Sequence, residues 1–155
     1  MAFLQIDYKS EALMRGVNIK VILPSDGMAG KWEPPYKTLY LLPGYSATAT
    51  ELITYLGLRG QSELKGIAIV LPDGENLFYQ DLPDRMTFYS TYVGKELVEV
   101  TRKMLPLSTK REDTFIGGIS MGGYGALYNG FKYRDTFSKV VAFSPAADAC
   151  MLLAG

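Results

Sequence analysis

The segment Thr114-Phe115-Ile116-Gly117-Gly118-Ile119-Ser120-Met121-Gly122-Gly123 constrains this chain more than any other. Its first part reads as a short buried strand, Thr114 to Gly118. From Met121 to Tyr133 the pattern is that of a helix, opened by Gly122, Gly123 and Gly125. One serine stands at the turn, with Gly118 two residues before it and Gly122 two residues after. A turn this sharp strains the serine backbone and crowds its flanks, and glycine removes the side chains that would clash there.

Such a turn suits a nucleophile. A serine hydroxyl reacts poorly at its ordinary pKa, so it has to be held exposed beside a base and beside donors for the developing oxyanion. A strand-to-helix turn provides the exposure, and the free N–H groups and positive end of the helix dipole point at the reacting centre. Ser120 is therefore the candidate nucleophile, and Gly118 and Gly122 are its elbow glycines. A phosphate loop fits poorly, because no G-K-[ST] follows and the glycine spacing is wrong. The chain contains no histidine. It cannot complete a Ser-His-Asp triad by itself.

The 155 residues are 48% apolar, enough for a real core. One compact domain is the expectation at this length. Sixteen basic and sixteen acidic residues cancel, which argues against a nucleic-acid or anionic-membrane partner. Cys150, the single cysteine, has no internal disulfide partner and no histidine to activate it. It reads as a buried structural thiol in a reducing compartment. The N-terminus lacks a basic region followed by a long apolar stretch, and no apolar run has the length of a membrane span, so a cytoplasmic protein is expected. No metal or organic cofactor is implied.

Two strand-like runs, Phe3 to Tyr8 and Val17 to Leu23, read as an antiparallel pair. Residues 24–35 are rich in Gly and Pro and read as a loop. Lys37 to Leu42 reads as a buried strand, and Gly66 to Leu71 is a continuous apolar strand of the kind that suits a parallel sheet covered on both faces. Thr50 is the expected N-cap of a helix from Glu51 to about Leu58, and Ser62 starts a short polar turn. Glu75 to Ser90 is irregular and aromatic. Tyr92 to Leu105 is an amphipathic helix with Leu97, Val100, Met104 and Leu105 on its apolar side, and the charges from Glu96 to Lys103 read as a solvated face. Lys139 to Phe143 is a further strand. This order predicts a mostly parallel α/β sheet with helices on both faces and a ligand site at the carboxyl ends of its strands. Gly44, Asp73, Ser120 and Ser144 all follow strands at that end.

Four segments together resemble the esterase D group of the α/β-hydrolases, which includes S-formylglutathione hydrolases, tributyrin-type esterases and feruloyl-esterase-like enzymes. They are Tyr40-Leu41-Leu42-Pro43-Gly44-Tyr45-Ser46, Val70-Leu71-Pro72-Asp73-Gly74, Lys110-Arg111-Glu112-Asp113-Thr114-Phe115-Ile116 and Gly118-Ile119-Ser120-Met121-Gly122-Gly123-Tyr124-Gly125-Ala126. The last is the most specific. The resemblance implies one α/β-hydrolase domain over residues 1–155, truncated before the last strands. It makes Ser120 the acyl-accepting nucleophile and the backbone N–H groups of Met121 and Tyr45 the oxyanion-hole donors. Pro43 stands where the family has a histidine, so the hydrogen bonding of that loop must differ. The family's acid and histidine follow the serine in chain order and should lie beyond Gly155, since Asp148 is too close to the elbow and reads as a loop or cap residue.

The expected function is that of a serine carboxylesterase, or part of one, acting on small acyl or aromatic esters or thioesters through an acyl-enzyme on Ser120. The base would come from further sequence or from a second polypeptide. The alternative is a non-catalytic hydrolase-like binding module. A truncated sheet would also expose an edge and an apolar face, which predicts self-association. Tyr45, Phe78, Tyr79 and Phe88 are expected to serve core or rim packing rather than direct substrate contact.

Overall fold

The computed structural model describes residues 1–26 and 31–146. Asp148 and Cys150 lie outside the described residues, as does Gly155. Among the described residues the strands are β1 (Ala2–Ser10), β2 (Arg15–Leu23), β3 (Lys37–Leu42), β4 (Ile67–Pro72), β5 (Asp81–Leu82), β6 (Thr87–Phe88), β7 (Thr114–Ile119) and β8 (Lys139–Phe143). All but β5 and β6 join the main sheet, in the order β1-β2-β4-β3-β7-β8. The first two strands are antiparallel, β2 joins β4 antiparallel, and β4, β3, β7 and β8 run parallel. The mostly parallel sheet with an N-terminal antiparallel pair is thus as the sequence predicts.

Why the central strands are so largely apolar is visible in the packing. Along β3, Tyr40 and Leu42 join one core and Leu41 the other; along β4, Ala68 and Val70 divide from Ile69 and Leu71 in the same way. Successive side chains point to opposite faces, so a strand covered on both sides is apolar except where a buried hydroxyl is hydrogen-bonded, as at Thr38 and Thr114. One face is covered by α1 (Ala49–Tyr55) and α2 (Leu58–Lys65), through Leu52, Ile53 and Leu58. The other is covered by α3 (Tyr89–Thr91), α4 (Leu97–Met104), the turn between them, and α5 (Met121–Lys132), through Val93, Leu97, Val98 and Ala126. Tyr40 crosses this second core to share a 2.8 Å hydrogen bond with Thr101. Burial lifts the Tyr40 pKa to about 12.

Three expectations need correction. Thr48, not Thr50, caps α1: its hydroxyl accepts the Glu51 N–H while the Glu51 carboxylate accepts the Thr48 N–H. A threonine and a glutamate three residues apart satisfy two orphan donors at once, and Thr50 has no such partner ahead of it. Ser62 starts no polar turn. It is fully buried within α2 and donates to the Ile67 carbonyl at 2.7 Å.

The third correction concerns the helix expected from Tyr92 to Leu105. It begins three residues earlier, as α3, passes through a π-helical turn (Tyr92–Glu96) and continues as α4. The wider turn rotates the helix beyond it. Leu97, Val98 and Thr101 face the core, while Met104 is 52% exposed. The charged face is also only partly solvated. Glu96 accepts from the Ser10 hydroxyl and from the Glu11 and Ala12 N–H groups, and Arg102 donates to Thr114. Within the segment expected to be irregular, β5 and β6 form a small hairpin.

Candidate active site

β3, β4, β7 and β8 are mutually parallel, so the loops at their carboxyl ends gather at one edge of the sheet. Ser120 sits there between β7 and α5 with φ 55° and ψ −114°. This is a left-handed backbone for a residue with a side chain. Its strain is held by three hydrogen bonds: the Ser120 N–H donates to the Phe143 carbonyl at 2.9 Å, and the Ser120 carbonyl accepts from Tyr124 at 3.0 Å and Ala146 at 3.1 Å. The elbow glycines answer to the same crowding. A Cβ at Gly118 would lie 2.0 Å from the Gly122 carbonyl oxygen, and one at Gly122 only 1.9 Å from that of Leu42. Strand end, helix start and the end of β3 touch through backbone alone.

Strain concentrates at this edge. Ser46, Glu75, Asn76, Phe78, Tyr79, Ser120 and Ser144 all have positive φ, and all lie in loops at the carboxyl ends of the parallel strands. Non-glycine residues in this region persist only where the surroundings over-determine them, and they cluster at functional sites.

The loops enclose a cleft of about 710 Å³. Ser120, half-buried, lines it together with Met121 and Ala146. Tyr45, Leu77, Phe78 and Leu82 supply apolar surface, and Asn76, Gln80 and Arg85 supply polar groups. The Tyr45 and Phe78 rings lie 6.4 Å apart, and Phe78 meets Tyr124 edge-on at 5.9 Å. Of the aromatic residues expected to serve packing, Tyr79 is fully buried and Phe88 half-buried, whereas Phe78 packs and also lines the cleft, and Tyr45, 61% exposed, forms its rim.

The loop after β3 lies against the nucleophile candidate. A Cβ at Gly44 would stand 3.5 Å from the Ser120 Cβ. Among the described residues, neither the Tyr45 nor the Met121 N–H donates to a protein acceptor. Met121 opens α5, where the first N–H groups of a helix have no partner within it. Asp73 does not reach this cleft. Its carboxylate accepts the Ala49 N–H at 3.0 Å and so helps to start α1. The sequence reading missed Asn76, Leu77, Gln80, Leu82 and Arg85. Their one available signal was position, since the stop at Pro72-Asp73-Gly74 places the residues after it at the carboxyl end of β4. No group of three or more His, Cys, Asp or Glu residues that could hold a metal occurs among the described residues, and none of their helices is long and apolar enough to cross a membrane.

Residues 10–154 match the model of the Esterase family, described as Putative esterase. The chain belongs to the esterase family of α/β-hydrolases. An acetyl esterase of Caldicellulosiruptor saccharolyticus is 40% identical to this esterase-family chain over 151 residues, which cover 94% of the chain and 57% of the relative. An S-formylglutathione hydrolase of Paracoccus denitrificans is 29% identical over 90% of the chain and 56% of its own length. Among solved structures, the substrate-bound fluorophosphonate-binding serine hydrolase F of Staphylococcus aureus is similar with a TM-score of 0.85 and 30% identity, over 97% of this chain and 60% of that one. The chain therefore spans less than two thirds of the length of the relatives it matches.

Proposed function

We propose that this chain carries the nucleophile and oxyanion half of a serine carboxylesterase acting on small acyl or aryl esters or thioesters. The observation that carries the reading is Ser120, held at φ 55° on the β7–α5 turn and lining the cleft. Its hydroxyl oxygen attacks the ester carbonyl carbon. The N–H groups of Met121 and Tyr45 receive the oxyanion, and losing one such donor typically costs about 10²–10³ in rate. The ester C–O (or thioester C–S) bond then breaks, the alcohol (or thiol) leaves with the proton that the base took from the Ser120 hydroxyl, the acyl group stays on Ser120, and water releases it as the acid. The proton passes through a base that these 155 residues lack, since they contain no histidine. The base and its acid partner would come from further sequence or from a second, different chain.

Support for the substrate class comes from the apolar lining by Tyr45, Leu77, Phe78 and Leu82, and from the names of the relatives. The setting proposed is a reducing cytoplasm, on the strength of a single cysteine. The missing histidine also favours a second reading, a binding module that keeps the elbow as scaffold.

The test is p-nitrophenyl butyrate turnover by this chain and by Ser120→Ala, with and without added imidazole as a substitute base. Without imidazole the expected rate is at most the residual roughly 10³–10⁴ over water that triad-stripped enzymes keep. Imidazole should raise the wild-type rate beyond its own background catalysis, and Ser120→Ala should remove that gain. Identical behaviour of the two proteins at every imidazole concentration would favour the binding module.

A further inference from the structure

The loop that carries the Tyr45 N–H begins with a residue that has no N–H with which to hold it. Pro43 has no N–H, and the next residue, Gly44, is the freest a backbone can contain. A donor aimed at a developing charge is useful only if its direction is set in advance.

The fastening comes from the loop after β4. The Tyr79 hydroxyl donates to the Pro43 carbonyl at 2.7 Å. The Asn76 carboxamide oxygen accepts the Ser46 N–H at 2.6 Å. These two bonds bracket Gly44 and Tyr45, and the Ala47 N–H closes the turn on the Gly44 carbonyl at 3.1 Å. Between these fastened points the Tyr45 N–H donates to no protein acceptor among the described residues.

Tyr79 is built into place for this contact. Its ring occupies a slot made by two glycines: a Cβ at Gly74 would lie 2.2 Å from the hydroxyl oxygen, and one at Gly125 would lie 2.4 Å from the ring. Its backbone is left-handed, with φ 56°, and its carbonyl accepts from the Asn129 side chain at 3.1 Å. Asn129 is itself fully buried and bonded to Ser90. Burial drives the Tyr79 pKa well above the ordinary tyrosine value, so the hydroxyl keeps its proton and stays a donor.

We infer that Tyr79, with Asn76, is a positioning residue that orients the Pro43–Ser46 backbone so that the Tyr45 N–H points into the cleft beside Ser120. The arrangement fastens a loop whose first residue has no N–H of its own through its carbonyl and through the Ser46 N–H. The purpose given to the loop rests on the proposed acyl transfer at Ser120, but its orientation by Tyr79 does not.

Tyr79→Phe removes the hydroxyl and keeps the ring in its slot. Amide hydrogen exchange on this chain should show protection at Ser46 and Ala47, whose N–H groups are bonded, falling about five- to tenfold, the effect of one lost hydrogen bond, with β3 and β7 unchanged. In the same variant, covalent labelling of Ser120 by a fluorophosphonate should slow at saturating probe, while the probe's half-saturation is kept. A purely structural tyrosine would instead lower protection throughout the sheet. If Tyr79→Phe fails to fold, Asn76→Ala releases the other fastener and should produce the same local loss. Unchanged exchange at Ser46 and Ala47 in a folded variant would overturn the inference. A wild-type chain inert to the probe even with imidazole would overturn the acyl-enzyme reading, and the exchange result would then decide the positioning role alone.

Discussion

Ser120 and its two glycines show how one position can carry both a cost and a purpose. A side chain at φ 55° costs about 1–2 kcal/mol relative to glycine. The three backbone bonds at Ser120 hold it there. Ser120→Gly should therefore stabilise the chain by about 1 kcal/mol in urea melts, whereas Ser120→Ala should not. Equal stabilities of Ser120→Gly and Ser120→Ala would mean that the turn stores no strain. Gly122→Ala should act in the opposite sense. Its Cβ would meet the Leu42 carbonyl oxygen at 1.9 Å, backbone against backbone, with no flexible atom able to move aside. A loss of about 3 kcal/mol, at the upper end of overpacking costs, is expected in the same melts. The G-x-S-x-G spacing was legible in the sequence because both glycines stand two residues from the serine, although only the crowding at Gly118 is local and that at Gly122 comes from the end of β3.

At the level of elements, boundaries follow caps and not apolar runs alone. α1 starts where Thr48 and Glu51 can bond reciprocally, and Asp73 adds a bond from another loop to the Ala49 N–H. Thr48→Ala should cost about 1 kcal/mol by chemical denaturation and loosen amide protection in α1 first. The 89–104 helix departs from its sequence reading for a different reason. A π-turn inserts an extra residue, so a stripe drawn at regular helical spacing runs out of phase, and Thr101 takes the inward place that Met104 would have had. Nothing in residues 92–96 by themselves announces the insertion. It accompanies Glu96, whose carboxylate latches the turn between β1 and β2 from 84 to 86 residues away.

For the molecule as a whole, two features set its response to conditions. The first is a cluster of tyrosines in the core shared with α3, α4 and α5. Tyr8, Tyr40, Tyr79, Tyr89 and Tyr92 all have raised pKa values, with burial the leading cause in each. Their protonated forms are favoured in the fold. Below the ordinary tyrosine pKa of about 10, folded and unfolded chains hold these protons alike. Above it the unfolded chain releases them first, so stability falls as pH rises, through the value of about 12 reached by Tyr40. The chain should be stable to about pH 10 and unfold cooperatively above it, with tyrosinate absorbance rising in step with loss of circular dichroism. Gradual titration of all tyrosines at their ordinary pKa, in a folded chain, would contradict this. The second feature is β8. It pairs only with β7 in the described sheet, and Val141 and Phe143 are 44% and 57% exposed.

The sequence by itself determined the strand order along the chain, the parallel class of the sheet and the serine elbow. These depend on patterns within about ten residues: continuous apolar runs for strands covered on both faces, and a glycine pair around one turn. Tertiary structure decided which residues share the cleft. Asn76, Gln80 and Arg85 reach it from a segment without periodicity, and Tyr79 reaches Pro43 across 36 residues through a slot cut by Gly74 and Gly125. No local pattern encodes such a contact, because it exists only after the parallel strands bring the ends of β3, β4 and β7 to one edge.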